Sequence, residues 1–190
     1  MAAVNSPGHP GTALGRPAPG EALMAVPPFE ALVAAHGSTV LRVCRALVGP
    51  VDADDLWQET FLAALRVYPG TVPVKNWQAW LVAIARNKCV DHHRRAAGVP
   101  QPTGQVAQEP PAGPDGVGRA LEAAETARRL WAALARLPKM QREAVVYHHI
   151  AGLRYAEAAA LLGNSEVAAR RAAADGMKAL RLLLAREEEH

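Results

Sequence analysis

Apolar residues recur every three or four positions in two stretches of this chain, residues 29–97 and 119–186. This spacing is typical of amphipathic α-helices, whose apolar side chains share one face. In the first stretch it predicts at least three helices: residues 29–48, a helix that starts after Asp52, and one from about Asn76 to Ala96. Gly37 lies where the first of these helices can break.

The second predicted helix has a start signal and two different faces. Asp52 suits an N-cap, and Asp55 three residues later completes a pattern that resembles a capping box. One face is apolar and is predicted to enter a core: Trp57, Phe61, Ala64, Leu65 and Tyr68. The opposite face gathers Asp55, Gln58 and Glu59 at positions i, i+3 and i+4, which makes a polar, acidic cluster.

The second stretch ends in a recognisable arrangement of helices. Its predicted elements are helices over 119–137 and about 138–150, a short helix, a Gly163-Asn164 turn, Ser165 as N-cap, and a long helix to about Ala185. A short helix, a tight turn containing glycine and a second helix are typical of a helix-turn-helix. An ordinary αα-hairpin has the same outline, so this pattern alone leaves both interpretations open.

Proline and glycine separate the two helical stretches. Residues 1–28 and 98–118 together hold 11 of the 15 prolines and 9 of the 15 glycines. Segments of this kind have too few apolar groups to offset the entropy of ordering them. We therefore predict a disordered tail, a flexible linker, and an all-α fold of two small helical domains joined by that linker.

Composition narrows the class of protein further. Half of the 190 residues are apolar and only 5% are aromatic, which suits packed helices. No stretch approaches the roughly 18 uncharged apolar residues of a membrane span, and the first 28 residues lack a secretory apolar core. Two cysteines cannot form a disulfide framework, so we expect a cytoplasmic protein without membrane insertion. A net charge of +3 permits an anionic partner.

The two stretches together resemble a known family. DADDLWQETFLAAL followed by NWQAWLVAIARNKCVDHHRR resembles region 2 of bacterial sigma factors. LARLPKMQREAVVYHHIAGLRYAEAAALLGNSEVAARRAAADGMKALR resembles their region 4. Their order and the total length resemble the extracytoplasmic-function (ECF, group four) members of the sigma-70 family. The resemblance implies a sigma factor that binds core RNA polymerase and directs promoter-specific transcription initiation from −10 and −35 elements.

The resemblance assigns the acidic cluster of the second helix to polymerase. Asp55, Gln58 and Glu59 match positions that in the family dock onto the clamp helices of the largest polymerase subunit. The alternative is a solvated helix face with a capping acid. Region 4 of the family also docks on the polymerase β-flap, and small members commonly have an anti-sigma factor as a partner.

Promoter DNA is the second partner that the resemblance implies. The −10 candidates lie in the loop VPVKN and the third helix: Lys75, Asn76, Trp80, Arg86, Asn87, Lys88, Arg94 and Arg95. Arginine and lysine can bind phosphates, Asn87 can bind a base edge, and Trp80 can stack on an unpaired base. A core role for Trp80 is an equal alternative. The loop departs from the family's usual Phe-Arg-Gly-rich form.

The −35 candidates lie in the last helix, and that helix is unusual for the family. They are Ser165, Arg170, Arg171 and Lys178. Ala172, Ala173 and Ala174 stand where related proteins often have larger residues, and Asp175-Gly176 follows. Glycine inside a helix costs about 1 kcal/mol relative to alanine, so helicity alone does not explain this segment.

Other functions find little support in the sequence. Adjacent histidines, as in His92-His93 and His148-His149, point about 100° apart on a helix and do not chelate one metal ion. We therefore expect neither a metal nor a cofactor. No nucleophile, base and orienting group occur at usable spacing, so we expect no enzyme. The alternative function is a helix-turn-helix DNA-binding regulator that never acts as a sigma subunit.

Overall fold

The computed structural model describes residues 26–68, 74–98 and 117–188, and the side chains within these ranges except at 117–122 and 187–188. The regular elements of this part of the chain are all helical: α1 (Phe29–Val48), α2 (Ala53–Val67), α3 (Trp77–Ala97), α4 (Val117–Ala135), α5 (Lys139–Val145), α6 (Tyr155–Leu162) and α7 (Glu166–Glu188). A π-helical turn, Val146–Ile150, continues α5. The predicted all-α class is confirmed. Most of the predicted tail (1–28) and linker (98–118) lies outside the described residues.

Helices α1, α2 and α3 form one bundle, and α1 runs through it without a break. Gly37 does not interrupt α1; it is buried. The indole Nε1 of Trp57 on α2 donates to the carbonyl oxygen of Gly37 at 2.8 Å. A Cβ on Gly37 would lie 3.4 Å from that indole, so a small residue lets the two helices approach.

The start of α2 differs from the sequence prediction. Asp52 has helical backbone angles and makes no side-chain capping bond, so the predicted capping box is wrong. Its carboxylate instead lies 3.3 Å from Nε2 of His92 on α3. The apolar face is also shifted, because Leu65 is 47% exposed whereas Leu56 is 2% exposed.

Helix α7 packs very closely against α5. Gly176 is the closest point: a Cβ there would lie 2.7 Å from Cγ2 of Val145 and 2.9 Å from the carbonyl oxygen of Gln141. Ala169 and Ala173 lie on the same side of α7 and are almost completely buried. The small residues of this helix therefore serve its packing, which explains why Gly176 is tolerated inside it.

The two helical stretches pack against each other and share one buried core. Nδ2 of Asn76, before α3, donates to Oε1 of Glu157 on α6 at 2.8 Å. The side-chain amide of Gln78 donates to the carbonyl of Ala151, and Nδ1 of His36 donates to Oε1 of Gln78 at 3.2 Å. The sequence predicted two domains, and this structure places them in direct contact.

Helix α1 is long and apolar enough to cross a membrane by length and composition alone. Core helices of soluble proteins pass the same test. Here α1 packs against α2, α3, α4 and the π-helical turn, and Val40, Val43 and Cys44 are completely buried. Its apolar character is thus accounted for by the core.

Candidate polymerase and nucleic-acid interfaces

The acidic cluster of α2 divides into two parts. Asp55 and Gln58 are exposed and lie one turn apart on the surface of α2. Glu59 instead faces α3, where its Oε2 lies 3.4 Å from Nζ of Lys88 and 3.8 Å from Nη2 of Arg95. Glu59 therefore holds α2 to the basic helix, whereas Asp55 and Gln58 are open to a partner.

Exposed apolar residues extend the open part of this surface. Leu62 and Leu65 are about half exposed on α2, in the next two turns after Gln58. The sequence pattern placed Leu65 in the core because it fits the apolar stripe. A rotation of the helix by one residue moves such a side chain from the buried face to the exposed face. An apolar patch beside exposed polar groups suits a protein partner better than it suits DNA.

The start of α3 is fixed by Asn76. Its Oδ1 accepts from the backbone nitrogen of Ala79 at 3.1 Å and so caps the helix, while its Nδ2 binds Glu157. Lys75 beside it is exposed. Trp80 is half-buried, and its ring meets that of Trp77 edge-on at 5.5 Å. Trp80 packs against the core, as its alternative role required, and keeps part of its surface open.

The basic residues of α3 lie in two groups. Lys88 and Arg95 pair with Glu59 at the side of α2. The other group faces α5 of the second domain and consists of Arg86, Asn87 and Arg94. Nη1 of Arg94 lies 3.7 Å from Asp91, the acid of the same turn. Asn87 and Arg94 are exposed, and Arg86 is half-buried.

The helix-turn-helix is formed by α6 and α7. Gly163 ends α6 with a positive φ of 69°, a conformation that glycine adopts without strain. Oγ of Ser165 accepts from the backbone nitrogen of Ala168 at 3.2 Å, which confirms the predicted N-cap. The turn and cap together turn the chain sharply and leave the first turn of α7 exposed.

The four −35 candidates are all exposed, but they differ in their partners. Arg170 pairs with Glu166 at 3.0 Å and lies over the ring of Tyr155, 4.8 Å from its centroid. The side chain of Arg171 is 87% exposed and lies 3.9 Å from Asp175. Arg171 is thus less constrained than Arg170, and Lys178 lies two turns further along α7.

Glu157 is a residue that sequence reasoning missed. Its Oε2 accepts from the backbone nitrogen of Arg154 at 2.9 Å, and its Oε1 accepts from Asn76. Burial raises its pKa, but the bonds from Asn76 and Arg154 and the positive charge of Arg154 outweigh this and lower the pKa. The capping-box pattern was the available signal, since Glu157 is the third residue of α6.

The histidines and cysteines have structural partners. His93 donates through Nε2 to the carbonyl of Leu47 at 3.0 Å, and His148 donates through Nδ1 to that of Leu153 at 2.8 Å. Cys44 and Cys89 are both buried. The contact with Cys44, together with burial, raises the pKa of Cys89, so this thiol stays protonated. Within the described ranges, no three histidine, cysteine or acidic side chains gather as a metal site.

Comparisons with known proteins agree on one family for both domains. The family model of sigma-70 region 2 matches residues 32–98, and that of sigma-70 region 4 matches residues 127–180. The chain is 34% identical over 135 residues to the ECF RNA polymerase sigma factor SigC of Mycobacterium tuberculosis, and the match covers 71% of each protein. It is 33% identical over 149 residues to the RNA polymerase sigma factor CnrH of Cupriavidus metallidurans, covering 72% of this chain and 76% of CnrH.

Solved structures show the same likeness. The structure of CnrH in complex with the cytosolic domain of CnrY is similar with a TM-score of 0.58 and 31% identity, over 82% of this chain and 86% of that chain. The sigma factor RpoE in complex with the anti-sigma factor NepR from Bartonella quintana shares the fold, with a TM-score of 0.64 and 21% identity. That match covers 82% of this chain and 96% of RpoE.

Proposed function

We propose a role for each domain of this chain, which belongs to the ECF group of the sigma-70 family and, as a sigma factor, directs transcription initiation. Region 2 binds core RNA polymerase through α2 and −10 DNA through α3, and region 4 binds −35 DNA through α7. The observation that carries this proposal is the helix-turn-helix of α6 and α7, capped by Ser165, on the same chain as the exposed face of α2.

The polymerase surface that we propose consists of Asp55, Gln58, Leu62 and Leu65. These side chains are exposed on consecutive turns of α2, and the leucines add apolar area to the polar positions. Glu59 belongs to the cluster by sequence, but its two cationic partners on α3 support a positioning role. It holds α3 against α2, so its loss acts on DNA binding as well as on docking.

Full access of −10 DNA to Arg86 and Asn76 requires the two domains to separate. Arg86 is half-buried beside α5 and Asn76 is bound to Glu157, whereas Asn87 and Arg94 are exposed. A strand that reaches Arg86 and Asn76 must displace region 4 from them. We therefore infer that the arrangement described above is the closed form of the protein, and that polymerase and promoter bind an open form.

We further propose that the protein acts in the cytoplasm, is not an enzyme, and has an anti-sigma factor as a partner. Binding of a protein partner is supported by the complex of CnrH with CnrY, at 31% identity to this chain. The class of partner is supported by RpoE, which shares this fold and forms a complex with the anti-sigma factor NepR. The β-flap of core polymerase remains the proposed second contact of region 4.

A charge reversal on α2 tests the role of the polymerase surface. Asp55→Lys is expected to weaken binding to core polymerase at least about tenfold and to reduce run-off transcription, because it places a cation in the proposed docking face. Asp54→Lys is the matched control: it makes the same change one residue earlier, at an exposed carboxylate paired with Arg45 at 3.9 Å. Circular dichroism checks that both variants are folded. Equal core binding by the two variants would contradict the assignment of Asp55.

A further inference from the structure

A cavity of about 410 Å³ lies between α3 of region 2 and α5 of region 4. Four permanent cations line it, two from each domain: Arg86, Arg94, Lys139 and Arg142. Leu47, Val90 and the ring of Tyr147 supply apolar walls. Small-molecule sites commonly enclose about 300–1,000 Å³ with mostly apolar walls and a few polar groups, and this cavity meets that description.

Two guanidinium nitrogens at this cavity have no hydrogen-bond partner in the part of the chain that the structure describes. They are Nε of Arg86 and Nε of Arg142, and both are buried. The hydroxyl of Tyr147 lies against the guanidinium group of Arg86, which bonds to it. Tyr147 is completely buried as a residue. Buried polar groups in folded proteins are nearly always bonded, so two such nitrogens beside one cavity favour a polar or anionic ligand there.

The charges around the cavity favour an anion. Glu143 also lines it, and its Oε1 lies 3.8 Å from Nζ of Lys139, so this carboxylate offsets one cation. Asp91 lies near Arg94 outside the cavity. Two guanidinium groups, on Arg86 and Arg142, remain without a carboxylate partner in the described structure, and they stand on different domains.

We propose that this cavity binds an organic phosphate, a small molecule that carries a phosphate group on an apolar, ring-containing body such as a nucleoside diphosphate. Guanidinium groups match phosphate oxygens in shape and charge, so Arg86 and Arg142 hold the phosphate from opposite sides. The apolar body lies against Val90 and Leu47. Burial and the charge of Glu143 raise the pKa of Tyr147 although Arg86 opposes them, so its hydroxyl stays protonated behind Arg86.

A ligand in this cavity would shift the equilibrium between the open and closed forms of the protein. The ligand contacts both domains only while they are together, so it stabilises the closed form in proportion to its occupancy. Arg86 and Arg94 cannot hold the ligand and promoter phosphates at once. The ligand would therefore keep the −10 residues from DNA without any protein partner. Binding of the ligand itself does not depend on the proposed function of α3.

Calorimetric titration of the full chain with adenosine diphosphate tests this proposal. We expect wild-type protein to bind adenosine diphosphate more tightly than either inorganic phosphate or adenosine, because the cavity has both a cationic and an apolar part. Lys139→Gln and Arg142→Gln should each weaken binding at least about tenfold, the factor expected for one hydrogen bond to a charged group. Lys139 is exposed, so its variant reports on binding even if Arg142→Gln disturbs α5, where Nη1 of Arg142 donates to the carbonyl oxygen of Ala135 at 3.3 Å.

Arg42→Gln is the control variant for this titration. Arg42 is exposed on α1 away from the cavity, and its Nη2 donates to Thr39 at 3.1 Å. Unchanged binding by Arg42→Gln together with weaker binding by the two cavity variants supports the site. Three results would overturn it: no binding of adenosine diphosphate, equal binding of inorganic phosphate, or equal weakening by Arg42→Gln, which indicates attraction to the basic surface in general.

Discussion

Replacing Gly176 by alanine should destabilise region 4, although alanine favours helices. In an open helix, glycine to alanine gains about 1 kcal/mol. Here the new Cβ would lie 2.7 Å from Cγ2 of Val145 and 2.9 Å from the backbone oxygen of Gln141, whereas carbon atoms pack at about 3.5–4.0 Å. Neither neighbour can rotate away, because Val145 is β-branched in a helix and the oxygen belongs to the backbone. Overpacking costs about 1–3 kcal/mol, and a contact this short belongs at the upper end of that range, so after the helical gain we expect a net loss of up to about 2 kcal/mol.

Thermal unfolding followed by circular dichroism measures this effect. A change of 1 kcal/mol shifts the melting temperature by about 2–4 °C in a chain of this size, so Gly176→Ala should unfold several degrees below wild type. Gly37→Ala is the matched control, since it makes the same change in α1, where the new Cβ would be 3.4 Å from Trp57. That distance is an ordinary contact, so we expect the control to keep or gain stability, by up to about 1 kcal/mol.

A double variant identifies the contact responsible. Val145→Ala alone creates a small cavity, but combined with Gly176→Ala it removes the closest clash and makes room for the new methyl group. We therefore expect the two substitutions together to cost less than the sum of their separate effects. If Gly176→Ala instead raises the melting temperature as much as Gly37→Ala does, α7 does not approach α5 as closely as described.

Four further outcomes are expected. Substituting Arg86 and Arg94 with alanine should flatten the salt dependence of promoter binding by a log–log slope of about 0.9 for each lost phosphate contact. Asn87→Ala should instead relax base preference and leave that slope unchanged. Identical behaviour of the two variants would contradict their different roles. With randomised −35 promoters, Arg171→Ala should lose more sequence preference than Arg170→Ala, since Arg170 is held by Glu166; unchanged preference in both means that α7 does not read DNA there. The pKa of Glu157 is lowered in the folded protein, so its carboxylate stabilises the fold above the ordinary glutamate pKa and loses this effect as pH falls below it. Glu157→Gln should therefore make the free energy of unfolding less sensitive to acid, measured between about pH 3 and 6. Trp57→Phe should cost about 0.5–1.5 kcal/mol in denaturant unfolding by removing the bond to Gly37, and no loss would show that this bond adds nothing.

Local sequence patterns predicted the helices well because helical spacing is itself local. The start of α3 at Asn76 and the cap at Ser165 follow from residues within one turn. The predicted capping role of Asp52 was wrong because its partner, His92, is forty residues away in the chain and no capping rule includes it. Leu65 was misplaced for a similar reason: the pattern fits two adjacent registers, and packing against α1 and α3 selects one of them.

Long-range contacts account for most of what the sequence did not predict in the candidate site. Glu59 fits an acidic docking cluster by spacing, yet its nearest charges are on α3. The bond from Gln78 to Ala151 joins residues 73 positions apart, and nothing in either segment indicates the other. In the sequence, Gly176 stood out because glycine is unfavourable inside a helix. The structure explains it by the close contact of Gly176 with α5, which only the folded chain brings about.

The pairing of Asn76 with Glu157 has a consequence for how the domains can part and rejoin. Each side chain uses one atom for its own helix and the other for its neighbour: Oδ1 of Asn76 stays on Ala79, and Oε2 of Glu157 stays on Arg154. When the bond between them breaks, both helices keep their terminal caps, and water can take the two vacated positions. The contact can therefore be made and broken repeatedly without fraying either domain.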